Sequence, residues 1–135
     1  MNTSTIIDLG FYKIEVEESS NLVKADWTRS VNKDEMVAGG TKLYEVLRDT
    51  KLENAIADAR KLTALSSETK EWMASKFYEL LSQTNVKKVA RVVPNDVFSR
   101  IALESVVTRA EALGVTKFEV KSFTSPTIAL AWLNS

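Results

Sequence analysis

Cysteine and histidine are both absent from this chain of 135 residues. Their absence removes the thiolate nucleophile, the usual proton shuttle near neutral pH, and the preferred ligands of zinc, copper and iron–sulfur clusters. The chemistries that remain use carboxylates, a Ser or Thr activated by Lys, or a hard cation held by oxygen atoms. None of these has a signature in the sequence, so we expect a protein that is not an enzyme and that has no metal or cofactor.

Net charge and long apolar runs are also lacking. Lys plus Arg and Asp plus Glu both number 18, so no net positive field would attract a phosphate backbone, and nucleic acid is not an expected partner. No apolar run is long enough to cross a bilayer, so membrane insertion is not expected. No basic residue precedes Ile6 and Ile7, unlike in a secretory signal, and the expected location is the cytoplasm. The length and the 44% apolar share predict one domain over residues 1–135.

Two alternating segments open the pattern of secondary structure. Residues 11–17 and 22–28 each alternate apolar with charged side chains, which is the period of a strand with one wet face. The polar residues 18–21 between them suit a short turn. These segments predict an antiparallel hairpin.

A helix over about residues 33–48 and then three strand-and-helix repeats follow the hairpin. The expected strands of the repeats are residues 54–60, 86–94 and 117–123. Strands separated by single helices can lie parallel, with the helices packed on the sheet. The sequence therefore predicts an α/β fold with a mixed five-stranded sheet and four helices.

Each expected helix follows a residue that can cap its first turn. Asn32, Ser66 and Asn95 precede the first three helices, and Ser125 followed by Pro126 precedes the last. The expected third helix follows Asn95 and runs to about Leu113, with an inner face made of Phe98, Ala102, Val106, Ala110 and Leu113.

Two glycines and three tryptophans have expected packing roles. Gly39 and Gly40 in the first helix cost roughly 1 kcal/mol each relative to alanine, so we expect them to permit close approach to the sheet or a bend. The three tryptophans are expected in the core. Trp72 is an exception if it forms an exposed row with Phe77 on the second helix, which would mark a partner surface such as that of a homodimer.

The two later strands differ in their polarity. Residues 89–93 are apolar except for Arg91, which is typical of an inner strand covered on both faces. Residues 118–123 alternate charged and apolar groups, which is typical of an edge strand.

The order of elements and three local motifs resemble a known family. The motifs are residues 57–62 (ADARKL) followed by Ser66, residues 88–94 (KVARVVP), and Phe123 with the closing residues 129–133 (ALAWL). In these features the chain resembles the bacterial STAS-like proteins related to anti-sigma-factor antagonists, whose topology is shared with the lipid-binding CRAL-TRIO domains. The resemblance implies a regulatory or protein-interaction role for a chain whose specific function is unknown. Its alternative implication is a carrier or sensor of a small lipophilic or anionic ligand.

The resemblance also implies a phosphorylation switch. In regulatory STAS domains a strand that ends in Asp is followed by a phosphorylated Ser at the start of the second helix. Asp58 and either Ser66 or Ser67 occupy the similar places here. A phosphate there would meet free backbone N–H groups and the positive end of the helix dipole. The chain departs from the pattern because Glu68 and Thr69 stand where a Gly is found, and Glu68 would repel an added phosphate.

Polar residues follow the ends of three strands that are expected to be parallel, so their exits should gather on one rim of the sheet. An anion or a partner could bind there, and the alternative is that each residue is only a helix cap or a turn former. A remote alternative is an enzyme that uses Asp58 or Asp96 as its base. The candidate binding residues are Asp58, Arg60, Ser66, Ser67, Asn95, Asp96 and Ser125.

Overall fold

The computed structural model describes the backbone of residues 4–135 and the side chains of residues 6–135. Six strands are present: β1 (Ser4–Asp8), β2 (Tyr12–Glu17), β3 (Leu22–Trp27), β4 (Asn54–Asp58), β5 (Lys88–Val92) and β6 (Glu119–Phe123). The first helix is Lys33–Thr50, the third is Val97–Ala112 and the fourth is Pro126–Leu133. The second helix is continuous over Ser67–Trp72, a π-helical segment Met73–Phe77, and Tyr78–Leu81.

The strands lie in the sheet in the same order as in the chain. Strands β1, β2 and β3 pair antiparallel, and β3 to β6 pair parallel. The predicted α/β class, the hairpin and the four helices are confirmed, and β5 is an inner strand while β6 is an edge strand. The sheet has one strand more than the five expected, because β1 carries the adjacent pair Ile6 and Ile7 in a segment too short to show a strand period.

The two faces of the sheet are covered unequally. The first three helices pack on one face and share a large core with side chains such as Tyr12, Ile14 and Val89. The fourth helix packs on the opposite face through Ala129 and Leu133. That helix covers the side of β4 and β5 and leaves the outer part of the hairpin open to solvent. No helix in residues 4–135 is long and apolar enough to span a membrane.

The helix starts follow local capping chemistry. The Asn32 side chain accepts a hydrogen bond from the backbone N–H of Glu35, whose carboxylate accepts from the Asn32 N–H, which is a capping box. Ser66 and Ser125 cap the second and fourth helices as predicted. The cap of the third helix is Asp96 and not Asn95, since the Asp96 carboxylate accepts from the Ser99 N–H.

The inner face of the third helix differs from the prediction. Val106 and Ala110 are buried as expected, but Phe98 is 83% exposed and Leu113 is 43% exposed. Steps of four residues drift by about 40° around a helix, so a stripe centred on Val106 leaves Phe98 about 80° away. The buried side chains of this helix are Ser99, Leu103, Val106, Val107 and Ala110.

The two glycines of the first helix are contact points for aromatic rings. A Cβ on Gly39 would lie 2.7 Å from Trp27, and a Cβ on Gly40 would lie 2.9 Å from Trp72. Trp72 and Phe77 stack with their ring centroids 5.8 Å apart and pack half-buried against the core. The predicted close approach is confirmed, and the second helix presents no fully exposed row of these two rings.

Candidate functional site

The rim of the sheet is formed by the C-terminal ends of its parallel strands. Asp58 on β4 is level with Val92 on β5, which is level with Phe123 on β6. The three exits therefore gather on one edge, as the sequence predicts. Strand β3 ends at the same rim, because it pairs parallel with β4 and places Asp26 level with Asp58.

Asp58 and Arg60 form a close ion pair at this rim. The Arg60 Nη2 donates to Asp58 Oδ2 over 2.6 Å, and the Arg60 backbone N–H donates to Oδ1 over 3.1 Å. Desolvation acts to raise the pKa of Asp58, but the hydrogen bonds from Arg60 outweigh it and leave that pKa below its ordinary value. Asp58 is therefore a carboxylate that holds its negative charge and is a weaker base than an ordinary Asp.

Asp26 is a rim residue that the sequence analysis did not select. Desolvation raises its pKa, and the neighbouring negative charge of Asp58 raises it further. The sequence did contain a sign that Asp26 lies near Asp58. A helix separates β3 from β4, so the two strands can lie parallel with their C-terminal ends at the same edge. Asp26, Asp58, Arg60 and Lys61 line a shared surface depression.

The two carboxylates should have opposite effects on stability. At about pH 7, D26N should raise the free energy of unfolding, because the native state favours the protonated Asp26. The gain should vanish below the ordinary Asp pKa of 3.8, where this residue is protonated in both states. D58N should lower stability at about pH 7, because stabilisation by ionised Asp58 is lost only as the pH falls through its lowered pKa.

Both changes should be smaller than about 1 kcal/mol, because solvent screens these partly exposed charges. Urea unfolding of the two variants and the native chain at about pH 7 and about pH 3 measures the effects. The same sign of change for D26N and D58N at neutral pH would contradict this assignment of charges.

Ser66 and Ser67 lie at the exposed start of the second helix. Ser66 Oγ accepts a hydrogen bond from the Thr69 N–H over 3.1 Å and lies 2.8 Å from Thr69 Oγ1. Glu68 lies 3.8 Å from the Lys33 amine, so a nearby cation partly offsets the repulsion expected of its carboxylate. Phosphorylation of Ser66 or Ser67 stays a prediction.

The other candidate residues at the rim act within their own helices. Asp96 caps the third helix and Ser125 caps the fourth, where its Oγ lies 3.5 Å from the Ile128 nitrogen. Asn95 is exposed beside Asp96. In the described part of the chain, no hydrogen bond or ion pair joins Asp58 and Arg60 to Ser66, Asp96 or Ser125. The predicted set therefore divides into one ion pair and three separate helix starts.

Four exposed apolar side chains lie close to these helix starts, and we call them the apolar rim patch. They are Val97, Phe98 and Ile101 in the first turns of the third helix and Ile128 in the fourth helix. Phe98 is 83% exposed, and Ile101 and Ile128 are each 60% exposed. Sequence reasoning missed the patch because it assigned Phe98 to the core.

A large open groove runs between the third helix and the edge strand β6, and we call it the edge groove. Its volume is about 1210 Å³, and Ile101 and Ile128 of the apolar rim patch line one end. Val107, Val120 and Phe123 also contribute to its lining. Cationic side chains outnumber anionic ones along it, since Arg100, Arg109 and Lys121 accompany Glu104.

A second groove of about 370 Å³ lies on the open face of the sheet beside the fourth helix. Its apolar lining includes Ile56, Val92 and Leu130, and Asp26 and Asp58 lie among its charged lining residues. Its volume is within the range of small-molecule sites. Chemically it could hold a ligand with an apolar part and a charged group.

Comparisons with known proteins agree with this architecture. No protein-family model matches the chain, and no curated protein matches it. The crystal structure of an uncharacterized DUF3478-family protein from Shewanella loihica PV-4, described as having a SpoIIAA-like fold, is similar with a TM-score of 0.58. The match has 20% sequence identity and covers 98% of this chain and 95% of that chain. The chain therefore has a STAS-like fold of the SpoIIAA type.

Proposed function

We propose that this chain is a non-enzymatic protein-interaction domain whose partner places an extended segment along the edge groove. The proposal depends on one observation. Two residues of the apolar rim patch line the edge groove, and this groove follows the unpaired edge of β6. Phe98, Ile101 and Ile128 are each largely exposed, and Ile101 and Ile128 line the same groove. Exposed apolar surface that lines a groove is typical of a protein-binding site.

The backbone of β6 supports binding of an extended segment. The Glu119 N–H donates to the carbonyl oxygen of Lys87, which precedes β5, and the Phe123 carbonyl oxygen accepts from the Val93 N–H. Because hydrogen-bonding direction alternates along a strand, the backbone groups of Val120 and Ser122 point to the open edge. An added strand would pair with these groups and place alternate side chains in the groove.

The charges of the edge groove indicate the composition of the partner segment. Arg109 is paired with Glu71, so Arg100 and Lys121 exceed the single carboxylate Glu104 by one positive charge. A segment that alternates apolar side chains with Asp or Glu would therefore complement both the groove lining and its charge. A second copy of the chain is the competing occupant, since β6 carries both Glu119 and Lys121.

The lipid-carrier alternative has less support. It requires a continuous apolar cavity between the sheet and the helices, and the enclosed cavity there has a volume of about 30 Å³. That volume holds one or two water-sized particles. A fatty-acid chain would need a site of at least a few hundred cubic ångströms. The second groove reaches that volume, but charged residues such as Lys24, Asp26 and Asp58 interrupt its apolar lining.

The proposal predicts that a negative charge at the apolar rim patch weakens partner binding. Peptides selected from a random displayed library against the native chain should combine apolar and acidic residues. I101E should weaken their binding at least tenfold, because it places a carboxylate beside an acidic segment in an apolar groove. Fluorescence anisotropy with the selected peptides measures the dissociation constants.

The matched control is I6E, because Ile6 is 64% exposed on β1 at the opposite edge of the sheet. I6E should bind the peptides as the native chain does, and both variants should keep native stability. Equal binding by I101E and the native chain would refute the edge-groove site. Sedimentation equilibrium tests the second copy: a native dimer that I101E dissociates would identify this chain as its own partner.

A further inference from the structure

Arg91 is a charged residue inside the main core. It lies on the inner strand β5, faces the first three helices, and is 4% exposed. Its Nη2 group donates to the Leu103 carbonyl oxygen over 2.7 Å. Its Nη1 group is buried, and no atom of residues 4–135 accepts a hydrogen bond from it.

No carboxylate of the described residues lies within ion-pairing distance of the Arg91 guanidinium, although Glu104 and Glu111 are near enough to act with Arg91 on the pKa of Tyr78. None of the ion pairs within residues 4–135 includes this residue. A buried cation without an opposite charge is strongly unfavourable, because it has lost its water and gained no Coulomb partner. The single bond to a neutral carbonyl leaves both the charge and the Nη1 hydrogens uncompensated.

An interior cavity of about 30 Å³ has Arg91 in its lining. Arg91 is the one charged residue of the described chain that lines it, and the other lining side chains are aromatic or aliphatic, among them Tyr12, Leu62 and Tyr78. The cavity is large enough for one or two water-sized particles and too small for a carboxylate ligand with a carbon chain. Size and charge together specify a compact anion.

The second helix has an irregular turn over this cavity. Met73 and Phe77 both line the cavity, and they are the first and last residues of the π-helical segment. Single π-helical turns within α-helices occur frequently at functional sites. This turn is independent of the missing acceptor at Arg91, and both features lie at the same cavity.

From these observations we propose that Arg91 binds one halide-sized anion in the interior cavity, with chloride as the ordinary occupant. The anion accepts hydrogen bonds from Nη1 and supplies an adjacent negative charge, which no carboxylate of the described residues provides at ion-pairing distance. The site lies in the core between sheet and helices, and it is separate from the edge groove on the surface.

Crystals of the native chain grown in sodium bromide test the site directly. An anomalous bromide peak within hydrogen-bonding distance of Arg91 Nη1 would support the proposal. A water molecule at Nη1 without anomalous signal, at a bromide concentration of about 0.5 M, would overturn it, because a halide site with useful affinity would be filled.

Thermal unfolding provides a second test at constant ionic strength, with sodium gluconate exchanged for sodium chloride. A chloride concentration of about ten times the dissociation constant should raise the melting temperature of the native chain by about 5 °C. R91M should fold, because Met replaces the buried charge with an apolar chain, and should lose the chloride response. R60M is the matched control, since Arg60 lies on the surface, and it should keep the response. Equal chloride responses of R91M and the native chain would overturn the proposal, and if R91M does not fold the bromide crystals decide.

Discussion

Replacing Gly39 with valine is expected to lower the free energy of unfolding by about 3 kcal/mol, because the added side chain has no space. Its Cβ alone would lie 2.7 Å from Trp27 Cη2 and 2.9 Å from Tyr12 Cδ2. These two rings are stacked with centroids 3.8 Å apart, and both are buried in the main core. The helix or the rings must therefore move, and the modest gain in helix propensity from removing a glycine does not compensate.

Urea unfolding of G39V measures this loss, and A38V is its matched control. Ala38 precedes Gly39 in the same helix and is exposed, so A38V should change stability by no more than about 0.5 kcal/mol. Equal effects of the two variants would mean that the contact of the first helix with the sheet is looser than described.

The second large effect is expected at Leu103, where L103A should cost about 3 kcal/mol. Leu103 is fully buried on the inner face of the third helix and lines the interior cavity beside Arg91. Removing its side chain loses apolar burial and enlarges a cavity that the surrounding sheet and helices cannot fill. Calorimetric or urea unfolding would measure the change.

I101A is the control for this experiment, because Ile101 lies two residues earlier in the same helix and is 60% exposed. Its stability should stay within about 0.5 kcal/mol of the native chain. A loss for I101A as large as that for L103A would show that the third helix is rotated from the described orientation.

The sequence predicted the fold through chemistry that is local in the chain. Asn32, Ser66 and Ser125 each cap the helix that follows them, and such contacts involve residues only three positions apart. The alternating pattern of the hairpin strands and the apolar pattern of β5 also predicted their structures correctly. Strand β1 was missed because its place in the sheet depends on pairing with β2, and its own five residues carry little pattern.

The candidate site was less predictable because it depends on contacts between distant segments. The sequence analysis selected Asp58 and Arg60 as separate candidates and did not predict their ion pair. The proximity of Asp26 to Asp58 follows from strand register. The exposure of Phe98 depends on how the third helix is rotated against the sheet. The buried guanidinium of Arg91 was noticed as an exception in an apolar strand, but its unpaired Nη1 needs the packed core to be seen.

The strands lie in the sheet in the same order as in the chain, and this order has a consequence for folding. Every strand pairs with its immediate predecessor in the chain, so no strand has to insert between two that are already paired. The sheet can therefore grow from the hairpin outwards, with each crossover adding its strand to an existing edge. Pairing between successive segments keeps sequence separations short, which favours rapid assembly over a search for distant partners.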